Sequence, residues 1–498
     1  MPGPDDSART DEHPLREMLR IAGPTVATMT SYTLMQFTDK WLVSRIGPEP
    51  VYVGAQGNGG LAAWVPLSVA AGTLMIINTF VAQNLGAGKA DRGPAYLWNG
   101  LWLSALYWLF VLVPLSFALP AIFRAAGVDP VQAELATEYG RILLWGAVFT
   151  LFARCVSQFF YGMHRPSVVM AAGVAANIFN LFASMVFCYG DGPTPPMGEN
   201  WLGSIMQPVA GAAHAVAAVF SIEPMGVAGS GVGTVLATLV EFLIPLGVFL
   251  SPSMHALYTT RSGWRWSRSH VAEILRKGLP AGLMFGNEMI CWGFFMVHLV
   301  SHFGQVHATA GWIAHQYMSL SFMPAVGISA ACAALVGRYQ GMKRPDLAAA
   351  RAWMGVRLAL VYMGLCGLCF VLFRTRLIGF FVPADADPET AAALVRLGSA
   401  FLIATAAFQL FDAVAMVLSG ALRGAGDTFW PGVATIVMAW TVIVLGGSLI
   451  VRFAPGLESV GPWIMAASYI ALLCAYLLAR FLSGKWRTMT VVREDAAG

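Results

Sequence analysis

Twelve mainly apolar stretches, separated by short polar breaks, run along the chain near 16–46, 54–84, 96–120, 133–162, 166–189, 225–250, 273–302, 308–338, 350–373, 390–421, 428–451 and 459–483. Each reaches the ~20 residues an α-helix needs to cross a bilayer core. Several exceed that length, which predicts tilted or bent helices, with Pro24 and Pro280 in a first turn or two where a bend is cheap. The pattern predicts an all-α polytopic membrane protein with 12 transmembrane helices. Composition agrees: of 498 residues 57% are hydrophobic and 11% charged, against about 25% charged in soluble domains. The three soluble domains that length alone would suggest are therefore excluded. Residues 1–14 are polar, without the apolar core of a secretory signal, so the first span is expected to direct its own insertion.

Lys and Arg test the same count. They gather at 9–20, Lys89 and Arg92, His164–Arg165, Arg261–Lys277, Arg338–Arg357, Arg423 and Lys485–Arg493, and thin out in the alternate loops. Arg374, Arg376 and Arg452 are the exceptions. Basic residues stay on the cytoplasmic side, so the alternation predicts an inner (plasma) membrane protein with both termini cytoplasmic and an even number of spans. The net charge of +4 reports orientation more than partner choice, and nothing suggests nucleic acid.

The two halves echo one another. LREMLRIAGPTVA (15–27) resembles EILRKGLPAGLM (273–284), VAQNLGAGKAD (81–91) resembles VGRYQGMKRPD (336–346), and FFYGMHRP (159–166) faces ALRGAGDT (421–428). GVAG (226–229) then pairs with ESVG (458–461) at a smaller spacing, which makes 189–224 an insertion in the first half. Six spans per half make the copies parallel, related by an axis along the membrane normal. The expected organisation is an amino-terminal lobe (1–251), a basic cytoplasmic linker (252–270) and a carboxy-terminal lobe with a short tail (271–498), with a cleft between the lobes. The insertion reads as a turn and a short helix on the outer surface, capping the cleft or lying on the membrane.

Charge inside the spans carries the chemistry. A carboxylate at mid-bilayer costs ~2.5–3.5 kcal/mol even on the lenient insertion scale, so such residues usually line a path. Asp39, Glu288 and Asp412 stand out. Glu241 is a fourth, close enough to the cytoplasmic end to be satisfied by snorkelling. These acids are candidates to bind a coupling cation or a cationic substrate; the plainer alternative is a buried acid that is paired or held neutral. Neutral amides accompany them: Gln36 three before Asp39, Asn287 beside Glu288, Gln409 three before Asp412, and Asn177 with Asn180 on the fifth span. Residues three apart share a helical face, and carboxylate with amide oxygens suits sodium or a proton rather than a transition metal; helix packing is the equal alternative for the amides. The seven cysteines, including Cys366 and Cys369, read as buried structural thiols. The 16 Trp and 24 Met serve as interfacial anchors more often than as a cavity lining.

At these residues the chain resembles the multidrug and toxic compound extrusion (MATE) transporter family, most closely its NorM-like branch, over roughly 15–483. The likeness rests on the LRIAGP start, Asp39 followed by Gly47, VAQNLGAG, His315–Gln316 in IAHQYMSLSFMP, VGISAACAALVG and LSGALRGAGDT. It implies two six-helix lobes around a V-shaped cavity that alternates between two openings, with a Na+ or H+ gradient driving efflux. It further implies an amino-terminal cation site at Asp39 and Asn177 and a carboxy-terminal one at Glu288 and Asp412. His315–Gln316 matches a motif tied to packing of the eighth span. Lys40 departs from the family pattern, where a small or neutral residue is usual; an ammonium there competes with a cation at Asp39.

The expected activity is secondary antiport of organic, cationic and amphipathic compounds against Na+ or H+. The protein is expected to have no cofactor, no metal beyond Na+, small-molecule substrate and membrane lipids as partners, and a monomeric state. A lipid-linked oligosaccharide flippase would need a basic cavity, and the spans show almost no mid-depth Arg or Lys except Lys40. An embedded enzyme would need a metal motif or nucleophile elbow, and HExxH, GxSxG and a Walker A loop are all missing from the sequence.

Overall fold

Short polar punctuation cuts the apolar chain into helices in a repeated way. Asp129 followed by Pro130 and Asp387 followed by Pro388 each start a long helix, the carboxylate accepting from the two free N–H groups two and three residues on. That side-chain cap with proline at the first helical position is a strong start signal. Pro166 and Pro345 open two further helices in equivalent places. The computed structural model describes residues 13–47, 51–195, 201–381 and 387–492. The termini expected in the cytoplasm, 1–12 and 493–498, and part of the insertion, 196–200, lie outside the described residues.

Among the described residues twelve long helices result: α1 (Pro14–Val43), α2 (Val51–Gly86), α3 (Ala90–Ala125), α4 (Pro130–Gly162), α5 (Pro166–Tyr189), α6 (Val227–Phe249), α7 (Arg268–Phe303), α8 (Gln305–Gly341), α9 (Pro345–Gly379), α10 (Pro388–Ala425), α11 (Phe429–Phe453) and α12 (Val460–Leu482). Eleven of them are long and apolar enough to cross a membrane. The exception, α1, is rich in hydroxyls. Thr25, Thr28, Thr30, Thr33 and Thr38 each donate to the carbonyl four residues back, which satisfies them within the helix. Pro24 and Pro280 lie deep inside α1 and α7 rather than in the first turns. Neighbouring groups in a packed membrane bundle re-satisfy the backbone that such prolines free.

The helices form two six-helix lobes, α1–α6 and α7–α12, with matching internal packing: α2 on α4 as α8 on α10, and α4 on α6 as α10 on α12. Between lobes α1 lies on α8 and α2 on α7, one contact repeated by the pseudo-twofold. Small residues carry it. A Cβ on Gly72 would stand 2.9 Å from Gly282 Cα, and one on Gly327 2.8 Å from Val26 N; Gly72 and Gly327, like Val26 and Gly282, are equivalent in the repeat. Nearer the face that bears Lys89, Arg92 and Arg344, here called the basic face, Gly86 presses on the Arg338 carbonyl and Gly341 on the Gln83 carbonyl. Met18, Ile21 and Ala22 of α1 are buried within the second lobe's core, whereas Gln36, Phe37 and Lys40 near the other end of α1 are exposed. The lobes thus meet toward the basic face and part toward the opposite one.

Two peripheral segments complete the chain. The insertion forms a helix, Trp201–Val219, whose Ala210, Ala213 and Ala217 bury against Leu42 and the end of α5. It is a prop on the first lobe. The linker contains a short helix, Pro252–Tyr258, and the Trp98 and Trp102 indoles of α3 donate to its following carbonyls at Thr260 and Trp264, both at 2.8 Å. Of the expected buried thiols, Cys369 is exposed and Cys366 half-buried, and neither forms a disulfide.

Candidate functional site

Asp39 sits near the open end of α1 and is enclosed, at 6% exposure, by α5 and α6. Asn180 Nδ2 donates to its Oδ1 at 2.7 Å, Ser184 Oγ to the same oxygen at 3.5 Å, and Thr234 Oγ1 to Oδ2 at 3.4 Å. Asn180 and Ser184 are one turn apart on α5, which puts both on the face toward α1. The amide that reaches Asp39 is therefore Asn180. Asn177, one turn earlier, has both side-chain polar atoms buried without a partner. Gln36 lies exposed, although it precedes Asp39 by three residues. Beside the pocket Gln56 donates to Ser230 at 3.2 Å, leaving its own oxygen unpartnered. Two hydroxyl oxygens and one amide group line the carboxylate, and carboxylate, hydroxyl and amide oxygens are the ligand type of a hard cation. Lys40 points away from Asp39 into the exposed region and lies within Coulombic reach of His315 across the cleft.

In the second lobe Glu288 of α7 accepts from Tyr469 Oη of α12 at 3.2 Å. Asp412 of α10 is close enough to feel the charges of both Glu288 and Tyr469. No Lys or Arg pairs with either acid among the described residues. The three helices are pinned to one another nearby: Trp463 of α12 stacks on Phe401 of α10, with centroids 5.3 Å apart, and meets Phe295 of α7 edge-on at 5.3 Å. Acids within a span are rare and usually line a path, and these two lie within electrostatic reach of one another. The flanking amides point elsewhere. Gln409 donates to Ser321 at 2.6 Å, and Asn287 accepts from Trp440 Nε1 at 2.7 Å while its nitrogen stays unpartnered. Asn287 also borders a crevice of about 600 Å³ between α2, α3, α7 and α11. His315 is framed edge-on by Trp292 and Trp312, and Gln316 is exposed.

Glu241 does not snorkel. It is buried inside the first lobe, where Tyr32 Oη donates to it. The Arg154 guanidinium lies 5.3 Å from the Tyr32 ring centroid and within Coulombic reach of Glu241. Arg154 is eight residues from the end of α4, about 12 Å into the helix at 1.5 Å per residue. This mid-depth cation is an addition to the basic residues read from sequence, where its signal is a single Arg in the apolar run LFARCV. Ser184, Thr234 and Tyr469 were also unforeseen, because hydroxyls are common in spans and do not announce themselves.

Comparison with known proteins agrees with this architecture. The MatE family model matches residues 24–186 and 283–446, one segment in each lobe. A curated relative from Mesorhizobium japonicum, "Probable multidrug resistance protein NorM", is 28% identical over 490 residues, covering 96% of each chain. A relative of the same name from Thermotoga maritima is 25% identical, covering 96% of this chain and 95% of its own. Among solved structures, a transporter of the MOP superfamily from Pyrococcus furiosus superposes with a TM-score of 0.80 at 20% identity, covering 96% of this chain and 97% of its own. An outward-facing multidrug resistance transporter of the same superfamily gives 0.79 at 19% identity, with the same coverage.

Proposed function

The chain belongs to the MatE family, and from that premise we propose that it is a secondary antiporter that exports organic, cationic and amphipathic compounds in exchange for Na+ or H+. The observation that carries the reading is the acid pair Glu288 and Asp412, with the Tyr469 hydroxyl donating to Glu288 and no basic partner among the described residues. With both acids charged, closing water out of the site is costly. A bound cation or proton removes that cost and favours one opening of the cleft; a cationic substrate competes for the same charge and favours the other. Exclusive occupancy makes the two fluxes opposite. Asp39 with Asn180, Ser184 and Thr234 is a second cation position, and Asn177 is held one turn away as a reserve ligand.

In this reading the basic face is cytoplasmic, as are both termini, and residues 1–251 and 271–498 move as lobes about the linker 252–270. The lobes, closed toward the basic face, are then open outward. The chain works as a monomer. The test is efflux of a fluorescent organic cation from proteoliposomes under imposed sodium or pH gradients. Glu288→Gln and Asp412→Asn are each expected to lower gradient-driven efflux at least tenfold, and Asp39→Asn to lower it less. The gradient that drives the parent identifies the ion. Efflux that persists in both acid variants would overturn the assignment.

A further inference from the structure

Three arginines stand against the charge pattern of the chain. Arg374 and Arg376 lie at the end of α9 and Arg396 near the start of α10, all toward the face away from the basic one, where basic residues are ordinarily scarce. Between the two helices runs a groove of about 680 Å³, lined by Thr375 of α9 and by Ala391, Ala392, Arg396, Ser399 and Ile403 along one face of α10. Residues of α1, α2, α7 and α8, the helices that meet between the lobes, take no part in it, so the groove opens on the outer flank of the second lobe. Ile403, and Leu372 one turn before Thr375, are exposed, and in a bilayer they face lipid.

The first lobe shows what this groove lacks. Trp145 of α4 stands as far beyond Pro130 as Ile403 stands beyond Pro388, and both helices begin with the same Asp–Pro cap. Trp145 meets Phe117 of α3 edge-on, with centroids 6.3 Å apart, and donates to Ser116 Oγ at 3.1 Å. An aromatic side chain thus covers the α3–α4 face, whereas alanines and an isoleucine leave the α9–α10 face open. Two polar groups of the open groove are short of partners. Ser399 is 8% exposed, and its Oγ has no hydrogen-bond partner, a state that native structures seldom leave unmet. Arg396 makes no hydrogen bond or ion pair among the described residues; the Asp387 carboxylate, at the head of the same helix, is engaged in capping it.

Depth decides the kind of ligand. Helix α10 has 38 residues, about 57 Å at 1.5 Å per residue, against a hydrocarbon core of about 30 Å, which leaves about 13 Å at each end. Arg396 begins about 12 Å from the helix start, within a long side chain's reach of the lipid phosphates. Ser399 is one turn deeper, at the level of the ester carbonyls, and Ile403 lies among the acyl chains. We propose that the α9–α10 groove is a binding site for an anionic glycerophospholipid of the leaflet away from the basic face. Arg396 holds the phosphate through the paired donors of its guanidinium. Arg376 adds charge, as does Arg374, whose Nη1 also donates to the Val371 carbonyl. The Ser399 hydroxyl donates to an ester carbonyl, and an acyl chain takes the place that Trp145 fills in the first lobe. The site requires nothing of the antiport reading.

Native mass spectrometry of the purified full-length protein tests this, with dioleoyl phosphatidylglycerol or dioleoyl phosphatidylcholine added in steps to a delipidated sample. The parent is expected to bind the first phosphatidylglycerol about tenfold more tightly than phosphatidylcholine, the worth of one charge-assisted bond. Arg396→Gln should bring the two lipids level, with Arg396→Lys between. Ser399→Ala should weaken both by about threefold, because they share the ester. Arg452→Gln, which removes a basic residue of the same face outside the groove, should leave the preference unchanged. Glycerol phosphate in excess should not displace the lipid, since it has no chain for the groove. The thermal midpoint in lipid-free detergent shows that each variant folds; if Arg396→Gln does not, Arg396→Lys and Ser399→Ala carry the test. Equal binding of the two lipids by the parent, an Arg452→Gln loss as large as that of Arg396→Gln, or displacement by glycerol phosphate overturns the proposal. So does a lipid-free dimer that Arg396→Gln abolishes, which would give the groove to a second copy of the chain.

Discussion

Glu17 is a carboxylate with almost no access to water, and its partners belong to the other lobe. It accepts from Arg351 Nε at 2.6 Å and from Tyr339 Oη at 2.9 Å, and both ions of the pair are at most 3% exposed. Burial of two charges costs about what their attraction returns, so the pair is weak evidence of stability; removal of one partner, however, strands the other at a cost of about 3–5 kcal/mol. Since α1 carries Glu17 and α9 carries Arg351, that cost falls on the conformer closed at the basic face. Glu17→Gln is expected to lower the thermal midpoint and to raise the open fraction at that face. Glu17→Gln/Arg351→Met should cost less than the two single changes together, and strict additivity in a double-mutant cycle would show that the bond is not a coupled unit. At this scale the sequence was informative about charge and silent about partners. Glu288 and Asp412 stood out because acids are rare in lipid. Asn177 and Asn180 share a helical face, and only the packing of α5 on α1 decides that the second one reaches Asp39. Arg154 carries the same signal as the acids with the opposite sign, a lone charge in an apolar run, but sequence does not show that it sits beside Glu241.

Helices were the most legible level, since a span must satisfy its backbone internally and advertises itself by length. The spans and the repeat both follow from the pattern. The insertion helix also has a signal, an Ala-rich run, but nothing in it says that Ala210, Ala213 and Ala217 seat against α5 rather than over the cleft. Contact between elements is set by the smallest residues, which sequence composition underrates. Gly86 and Gly341 are pseudo-equivalent, and each lies where an added Cβ would strike the other lobe's backbone, at Arg338 and Gln83. Backbone cannot swing aside as a side chain can. Gly86→Ala and Gly341→Ala are therefore each expected to push α2 and α8 apart and to increase labelling of a single cysteine placed in that seam. Gly57→Ala, where a Cβ meets nothing within 4 Å, is the control that should leave labelling unchanged. Equal labelling in all three variants would remove the steric account.

For the molecule as a whole, the question is what holds the closed face closed beyond the small-residue contacts, the apolar packing of α1 and the Glu17–Arg351 pair. The carboxy-terminal tail adds a crosspiece. Gln340 Nε2 lies 2.7–3.1 Å from the Trp486, Arg487 and Met489 carbonyls, which fixes the tail to the second lobe. Two residues further on, the Val491 N–H donates to Gln83 Oε1 of the first lobe at 2.8 Å, and the Val491 side chain joins Ile76, Phe80 and Tyr96 of that lobe and Ile274 of the other. Rocking the lobes apart at the basic face must break the Gln83 bond and expose Val491, because the tail cannot follow both lobes. With the longer Thr490 Oγ1 bond to the same oxygen, at 3.4 Å, two bonds and one valine are worth roughly 3–6 kcal/mol together, and the conformers of a working transporter differ by only a few kcal/mol. Ending the chain after Thr488 removes this crosspiece and leaves Trp486 in place. Distances between spin labels on α2 and α8 at the basic face should then shift toward the longer, open population, with Val491→Asp giving the same direction in the full-length chain. If both variants keep the parent's distance distribution, the tail merely rests on the seam, and closure is set by the helices alone.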